Sequence, residues 1–326
     1  MTEPIVHLPK NYDRPVTVTK KSHRINTRLS VVVPMYNVAL FLREALDSLL
    51  RQGVNEVMQV ILIDDGSKDE SSEIAKEYVE QYPDIFELYI FENGGLGAAR
   101  NRGTNLAEGE YITYVDPDDV VVDESYEKML KMISRTGSDV IGGAVRRFNS
   151  TGKQWTSTVH NKAYHDTYEA TTLEKHPEMV WDTTAWNKIY RLDFILKYSL
   201  YFPEKMLYED MPMVVPMYSL ARTIDIYDKV IYLWRERDEG TPSITQSTAQ
   251  KNNFSDRVKG MKMILTSLQN YRAPINAQNE QLNKMLNFDL RLPFTYEKYL
   301  ALDNDYKDTI SVSYTHLRAH ETCADL

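Results

Sequence analysis

Short β-branched runs that each end in polar residues, with helical periods between them, constrain this chain more than any other feature. Leu29-Ser30-Val31-Val32-Val33 stops at Pro34, Val60-Ile61-Leu62-Ile63 at Asp64-Asp65-Gly66, and Tyr111-Ile112-Thr113-Tyr114-Val115 at Asp116-Pro117-Asp118-Asp119. Runs this short, with little polar alternation, suit strands buried on both faces. After the first, Leu42, Ala45, Leu46, Leu49 and Leu50 fall on one helical face, with Asn37 placed to cap that helix. After the second, Ile74, Tyr78 and Val79 do the same, and Ser67 with Glu70 predicts a capping box. Another strand is expected near Phe86 to Phe91, then a glycine-rich turn and helix from Asn93 to Leu106. Strands alternating with helices predict an α/β fold with a mostly parallel central sheet flanked by helices. Ligands gather at the carboxyl ends of such strands. Pro34 to Asn37, Asp64 to Ser67, Asn93 to Arg100 and Asp116 to Asp119 all sit there.

The flanks are less regular. Residues 1–28 carry Pro4, Pro9 and Pro15 and no sustained apolar period, which reads as an N-terminal extension with order beginning at Leu29. Past Val120 a helix is expected from about Glu124 to Ser134 and a strand from Asp139 to Val145, followed by a mixed region to Gln246. Residues 247–310 are expected to be helical, with Phe254, Val258, Met261, Leu265 and Leu268 on one face and a break at Pro274. Val312 to Thr322 reads VSYTHLRAHET and resembles a translated sequencing adaptor. Residues 311–326 are therefore set aside as an artefact, and the natural chain is expected to continue past about Ile310. Without that exclusion, His316 and His320 beside Glu321 and Cys323 would mimic a helical metal site.

Composition excludes several classes. A net charge of -9 argues against non-specific nucleic-acid binding. No apolar stretch approaches membrane-spanning length and no signal-peptide core is evident, so a cytoplasmic location is expected. The single cysteine, Cys323, supports neither a disulfide framework nor a cysteine metal site.

Asp116-Pro117-Asp118-Asp119 carries the strongest chemistry. Pro117 biases Asp116 toward an extended backbone, so the carboxylates splay at the strand exit. Magnesium or manganese takes hard oxygen ligands, commonly one or two carboxylates plus phosphates and water. The bland alternative is a solvated acidic turn.

Four ordered segments decide the context: Val31 to Asn37, Ile63 to Ser67, Gly95-Leu96-Gly97-Ala98-Ala99-Arg100-Asn101, and Tyr114 to Asp119. Together they resemble the nucleotide-binding half of glycosyltransferase family 2, which has the Rossmann-like GT-A fold. The resemblance extends over residues 29–245 and divides them into a nucleotide-sugar half, 29–120, and an acceptor half, 121–246. It implies a UDP-sugar donor, with Pro34, Tyr36 and Asn37 around the base and Asp65 accepting from the uracil ring. Arg100 would face base or phosphate, Asp116 the ribose or metal shell, and Asp118 would ligate Mg2+ or Mn2+. It points to Asp210 as the base that deprotonates an acceptor hydroxyl, with Glu209 orienting it. A neutral sugar hydroxyl is a poor nucleophile and needs such a carboxylate. Simpler roles remain open: Asp65 as a turn residue, Tyr36 as core, Arg100 in a surface salt bridge, and Glu209-Asp210 opening a helix.

Trp186-Asn187-Lys188-Ile189-Tyr190-Arg191 is similar to a family segment beneath the acceptor site. Arg235 and Arg237, followed by Gly240 and Ser243-Ile244-Thr245-Gln246, offer a clamp for the donor diphosphate or are simply exposed arginines. These segments look most like transferases of teichoic-acid or polyglycerol-phosphate synthesis, and capsule and exopolysaccharide enzymes share much of the pattern. UDP-N-acetylglucosamine or UDP-glucose is the expected donor, and a polymer or glycan the acceptor. Peripheral association with membrane-bound assembly machinery and a fused domain beyond residue 310 are also expected.

Other classes fit less well. Gly95-Leu96-Gly97 lacks the third glycine of a dinucleotide fingerprint, where Arg100 stands. A nucleotidyltransferase needs a glycine-rich triphosphate loop that Val33 to Tyr36 does not provide. A hydrolase with two carboxylates needs no base pocket. A non-catalytic scaffolding relative predicts a lost ligand or base, yet Asp118 and Asp210 are both present.

Overall fold

A computed structural model describes residues 14–19, 26–238, 250–290, 299, 302 and 304–323. Eleven strands among them join one sheet. They are β1 (Thr17–Thr19), β2 (Leu29–Met35), β3 (Met58–Asp64), β4 (Phe86–Ile90), β5 (Tyr111–Tyr114), β6 (Val120–Val121), β7 (Val140–Phe148), β8 (Gln154–Thr156), β9 (Tyr168–Thr171), β10 (Lys188–Arg191) and β11 (Ile224–Arg235). The helices are α1 (Ala39–Leu50), α2 (Ser71–Gln81), α3 (Leu96–Leu106), α4 (Ser125–Thr136), α5 (Thr158–Ala163), α6 (Leu192–Lys197), α7 (Met211–Leu220), α8 (Lys251–Asn270), α9 (Ile275–Lys284) and α10 (Asn304–Cys323).

The order β1-β4-β3-β2-β5-β10-β7-β11-β6 makes the sheet mixed. β4, β3, β2 and β5 are mutually parallel, as the βα alternation predicts. Beyond β5 the sheet changes character, because β10 runs antiparallel to both β5 and β7. The parallel direction resumes past it, since β11 pairs parallel with β7, so the mostly parallel sheet is interrupted by β10 and edged by the antiparallel strands β1 and β6. Order also begins before Leu29: β1 adds an antiparallel edge strand to β4.

Period-2 burial sorts the central strands onto two cores. Val31, Val33, Val60 and Leu62 pack with Leu42, Leu46 and Leu49 of α1 and Met129 and Ile133 of α4. Val32, Ile61 and Ile63 face a second core shared with Ala99 of α3, Val214 of α7, and Phe254, Val258 and Met261 of α8. Gly103 lets α3 lie against β2, since a Cβ there would come within 2.2 Å of Val32. The chain turns at Pro274, and α9 follows, as expected from the sequence.

Two capping expectations are corrected. Asn37 does not cap α1; its backbone is left-handed at φ 49° and its Oδ1 accepts from the Lys68 amide at 2.7 Å. Ser67 and Glu70 form no capping box, because α2 begins at Ser71 and Glu70 makes no side-chain cap. Asp69 does both jobs. Its carboxylate accepts from the amides of Ala39 and Ser71, each at 3.0 Å, so one acid satisfies the first turns of two helices.

Candidate active site

The polar residues at the ends of β2, β3 and β5 converge on α3. Asp65 follows β3 and is buried, accepting from the amides of Gly94 and Gly95 at 2.8 Å and from Arg102 Nη1 at 2.8 Å. Arg102 in turn lies over the Phe91 ring, 4.5 Å from its centroid. Asp65 is thus a built part of the wall that shapes the glycine turn. Burial raises its pKa above the ordinary carboxyl value against these donors. Pro34 is buried at the end of β2, whereas Tyr36 is 52% exposed and presents an open aromatic face.

Arg100, one helical turn into α3, is the hub. It is 1% exposed and donates from Nη2 to Asp116 Oδ1 at 2.6 Å and from Nη1 to Glu209 Oε1 at 2.5 Å. The surface salt bridge considered for it is replaced by a buried bridge between residues 93 positions apart in the chain. Asp116 and Glu209 hold its charge firmly in place, raising its pKa despite burial. One guanidinium thereby ties the acidic strand exit to the acidic pair before α7.

Asp210 is half-buried and N-caps α7, accepting from the Met211 amide at 2.9 Å. The helix-opening role and placement beside the hub occur together. Burial first, then the neighbouring Glu209 charge, push its pKa up to about 7. Glu209 is also raised by burial, against the lowering effect of the Arg100 guanidinium.

In the Asp116–Asp119 turn, Asp118 Oδ2 accepts from Arg237 Nε at 2.7 Å. Arg235 is buried, donates to the Asp118 carbonyl at 2.6 Å and to Glu44 at 2.5 Å, and stacks over Phe148. Both arginines of the expected clamp are therefore engaged with the acidic turn or its neighbour. Gly240 and Ser243 to Gln246 lie outside the described residues. The Trp186–Arg191 segment is interior: Trp186 stacks on Tyr232, and Lys188 is fully buried, donating to Asp182 Oδ2 at 2.5 Å. Tyr232 then meets the site by accepting from the Asp116 amide at 3.1 Å.

Residues 30–198 match the model of Glycosyl transferase family 2. The chain belongs to glycosyltransferase family 2. It is 30% identical to the minor teichoic acid biosynthesis protein GgaB of Bacillus subtilis (strain 168) over 231 residues, 71% of this chain and 25% of GgaB. It is 27% identical to the uncharacterized glycosyltransferase EpsJ of the same organism over 285 residues, 86% of this chain and 80% of EpsJ. The chain thus spans a quarter of one relative and four-fifths of the other. The fold is similar to that of Staphylococcus aureus TarS 1-349 in complex with UDP-GlcNAc, with a TM-score of 0.71 at 23% identity, covering 89% of this chain and 79% of that one. This places the family 2 domain in the GT-A fold.

A divalent cation suits the donor set of this transferase. Burial, with repulsion from neighbouring aspartates, raises Asp118 and lifts Asp119 well above the carboxyl range. Asp119 Oδ2 is buried beside the Tyr232 hydroxyl without a hydrogen bond of normal geometry. Among the described residues no three carboxylate, imidazole or thiol groups are grouped to hold a metal.

Two site residues escaped the sequence reading. Arg102 braces Asp65, and Asn101 braces the loop ahead of Glu209 by pairing with both backbone groups of Phe202, at 2.8 and 2.9 Å. Their sequence signal is faint, because polar residues on a helix beside a glycine turn read equally well as a solvated face.

Proposed function

We propose that this transferase moves a sugar, with inversion, from a UDP-sugar to a hydroxyl of a cell-wall or surface polymer such as teichoic acid. The observation that carries the reading is the Arg100 bridge, which sets Asp116 and Glu209 on either side of one guanidinium with Asp210 adjacent. Donor-side and acceptor-side acids are thereby held at one rim. UDP-N-acetylglucosamine or UDP-glucose is the favoured donor, in keeping with the nucleotide sugar bound by TarS. The teichoic-acid role of GgaB supports the acceptor class. A capsule or exopolysaccharide acceptor, whose transferases share much of the sequence pattern, is the second reading.

Tyr36 offers its exposed face to the uracil, and Pro34 and Asn37 border it. Asp65, fixed by Arg102 and two glycine amides, accepts the imide N–H. Asp118, with Asp116, would hold Mg2+ or Mn2+, which supplies charge neutralisation for the departing diphosphate. Arg235 and Arg237 hold the acidic turn and add positive charge beside it. The acceptor oxygen bonds to the anomeric carbon as the carbon–phosphate oxygen bond breaks. Its proton passes to Asp210, and the electron pair leaves with UDP. A carboxylate raised to about 7 is basic enough for this at neutral pH.

Residues 29–120 then form the donor half and 121–246 the acceptor half, with α8 and α9 following in the C-terminal segment. Among the described residues no helix is long and apolar enough to cross a membrane. The proposed workplace is the cytoplasmic face of membrane-bound assembly machinery.

The test is UDP release from a panel of nucleotide sugars, with manganese or with chelator, by wild type, Asp118→Asn and Asp210→Asn. Loss of about a hundredfold or more in both variants and dependence on metal are expected. Full activity in both variants with no effect of chelator would overturn the assignment.

A further inference from the structure

The acidic pair is delivered by a loop whose backbone is strained one residue before it. Tyr208 has φ 59°, a left-handed conformation unfavourable for a bulky side chain. Ser199 and Lys205 in the same loop are also left-handed. Such conformations persist where the surroundings over-determine them, and they cluster at functional sites.

Here the surroundings are α8, which begins more than fifty residues after the stretch matched by the family model. Asn253, Asp256 and Arg257 lie on one face of its first turns, at the spacing of helical neighbours. The Tyr208 hydroxyl donates to Asn253 Oδ1 at 2.5 Å and accepts from Arg257 Nη2 at 2.9 Å. The Arg257 guanidinium also lies over the Tyr208 ring, 4.4 Å from its centroid. Asp256 Oδ2 accepts the Leu207 amide at 3.0 Å. Arg257 is 6% exposed, and its Nη1 reaches the Asp289 carbonyl at 3.5 Å. Asp289 is itself tied to Lys284 at 2.8 Å. Three side chains of one helix thus grip two consecutive residues of the loop, while Arg100 and Asn101 of α3 hold it from the other side.

We propose that Arg257 is a positioning residue for the transfer reaction: by clamping Tyr208 from the ring face and the hydroxyl, it sets the direction in which Asp210 meets the acceptor. This rests on Asp210 being the base. The C-terminal helices then belong to the catalytic apparatus. Arg257 itself touches no reacting atom. Misplacement of a catalytic group by about 1 Å can cost about a hundredfold in rate.

The experiment uses the full chain with donor, acceptor and manganese, comparing Arg257→Met, Arg257→Lys and Tyr208→Phe with wild type. Arg257→Met is expected to lower kcat about tenfold to a hundredfold while the donor KM stays within about twofold. Arg257→Lys should recover part of the loss, since an ammonium can still donate to the Tyr208 hydroxyl. In an Asp210→Asn background the Arg257→Met effect should vanish, because the group being aimed is already disabled. Wild-type kcat in Arg257→Met, or an equal loss with and without Asp210, overturns the proposal. If Arg257→Met does not fold, Tyr208→Phe, which removes one hydroxyl, carries the test; several-fold lower kcat supports it and an unchanged kcat overturns it. An active Asp210→Asn would remove the base assignment itself, whereas an inactive Asp210→Asn beside an unaffected Arg257→Met would remove only the positioning role.

Discussion

Arg100 has one positive charge for two carboxylates, and the chemistry of the site follows from that shortage. Breaking a buried ion pair by removing one partner costs about 3–5 kcal/mol, because the remaining charges stay desolvated. Arg100→Met, similar in length and uncharged, is therefore expected to lower stability by that amount, read as a reduced Tm in calorimetry, and to abolish transfer. Beside Arg100, burial and then the Glu209 charge shift the titration of Asp210. Its carboxyl is raised from 3.8 to about 7, and only the deprotonated form can take a proton. The rate kcat/KM should fall about tenfold per pH unit below about 7, on a limb that disappears in Asp210→Asn. The stability consequence has the opposite sense. A folded-state value above the unfolded one favours folding fully below 3.8, and this contribution is lost as pH rises through about 7. Asp210→Asn, which can still cap α7, should melt higher than wild type at pH 8, by a margin that shrinks steadily as pH falls toward 3.8, as followed by circular dichroism.

Among the elements, α3 is used on every side. Gly103 seats it on β2, Arg102 reaches Asp65, and Arg100 and Asn101 hold the loop that leads to Glu209. Gly97 belongs to the same contact. A Cβ there would lie 2.3 Å from the Pro203 carbonyl oxygen and 3.5 Å from Glu209 Cγ. Gly97→Ala must displace that backbone, at about 1–3 kcal/mol of overpacking. Gly103→Ala meets Val32 at 2.2 Å, so the steric insult is similar but falls on the core. The expected contrast is a larger loss of kcat per degree of Tm for Gly97→Ala than for Gly103→Ala. Equal ratios would mean that the 203–209 loop does not transmit the change to the acids.

On the scale of the whole molecule, the C-terminal helices complete a core rather than decorate it. Phe254, Val258, Met261, Ile264, Leu265 and Leu268 of α8 are buried in the cluster that contains Val32 and Ile61 of the central strands. Exposing such side chains costs about 1.5–3 kcal/mol each, and six of them rival a whole domain's net stability of about 5–15 kcal/mol. A chain ending at residue 246 should be insoluble or should bind a hydrophobic dye with a collapsed near-ultraviolet spectrum. A soluble, cooperatively melting fragment would contradict this.

The sequence by itself determined the parallel first half of the sheet, the two-sided burial of its strands, and the location of the polar residues at the strand exits. Those depend on local period and turn chemistry, which act over a few residues and are legible without the fold. Asp116 and Asp118 stood out as carboxylates at a strand exit, whereas Glu209 and Asp210 came forward only through the resemblance to glycosyltransferase family 2. Only tertiary structure decided which groups these acids meet. Arg100 joins residues 116 and 209, Arg235 and Arg237 are engaged at the acidic turn, and Asp69 displaces Asn37 and Ser67 as the cap. Tertiary structure likewise inserted β10 antiparallel into the sheet and brought α8 to Tyr208. Partner choice among polar groups depends on contacts across a hundred or more residues. An arginine's five donors can satisfy many acids, and only the packed core settles which ones lie within about 3 Å.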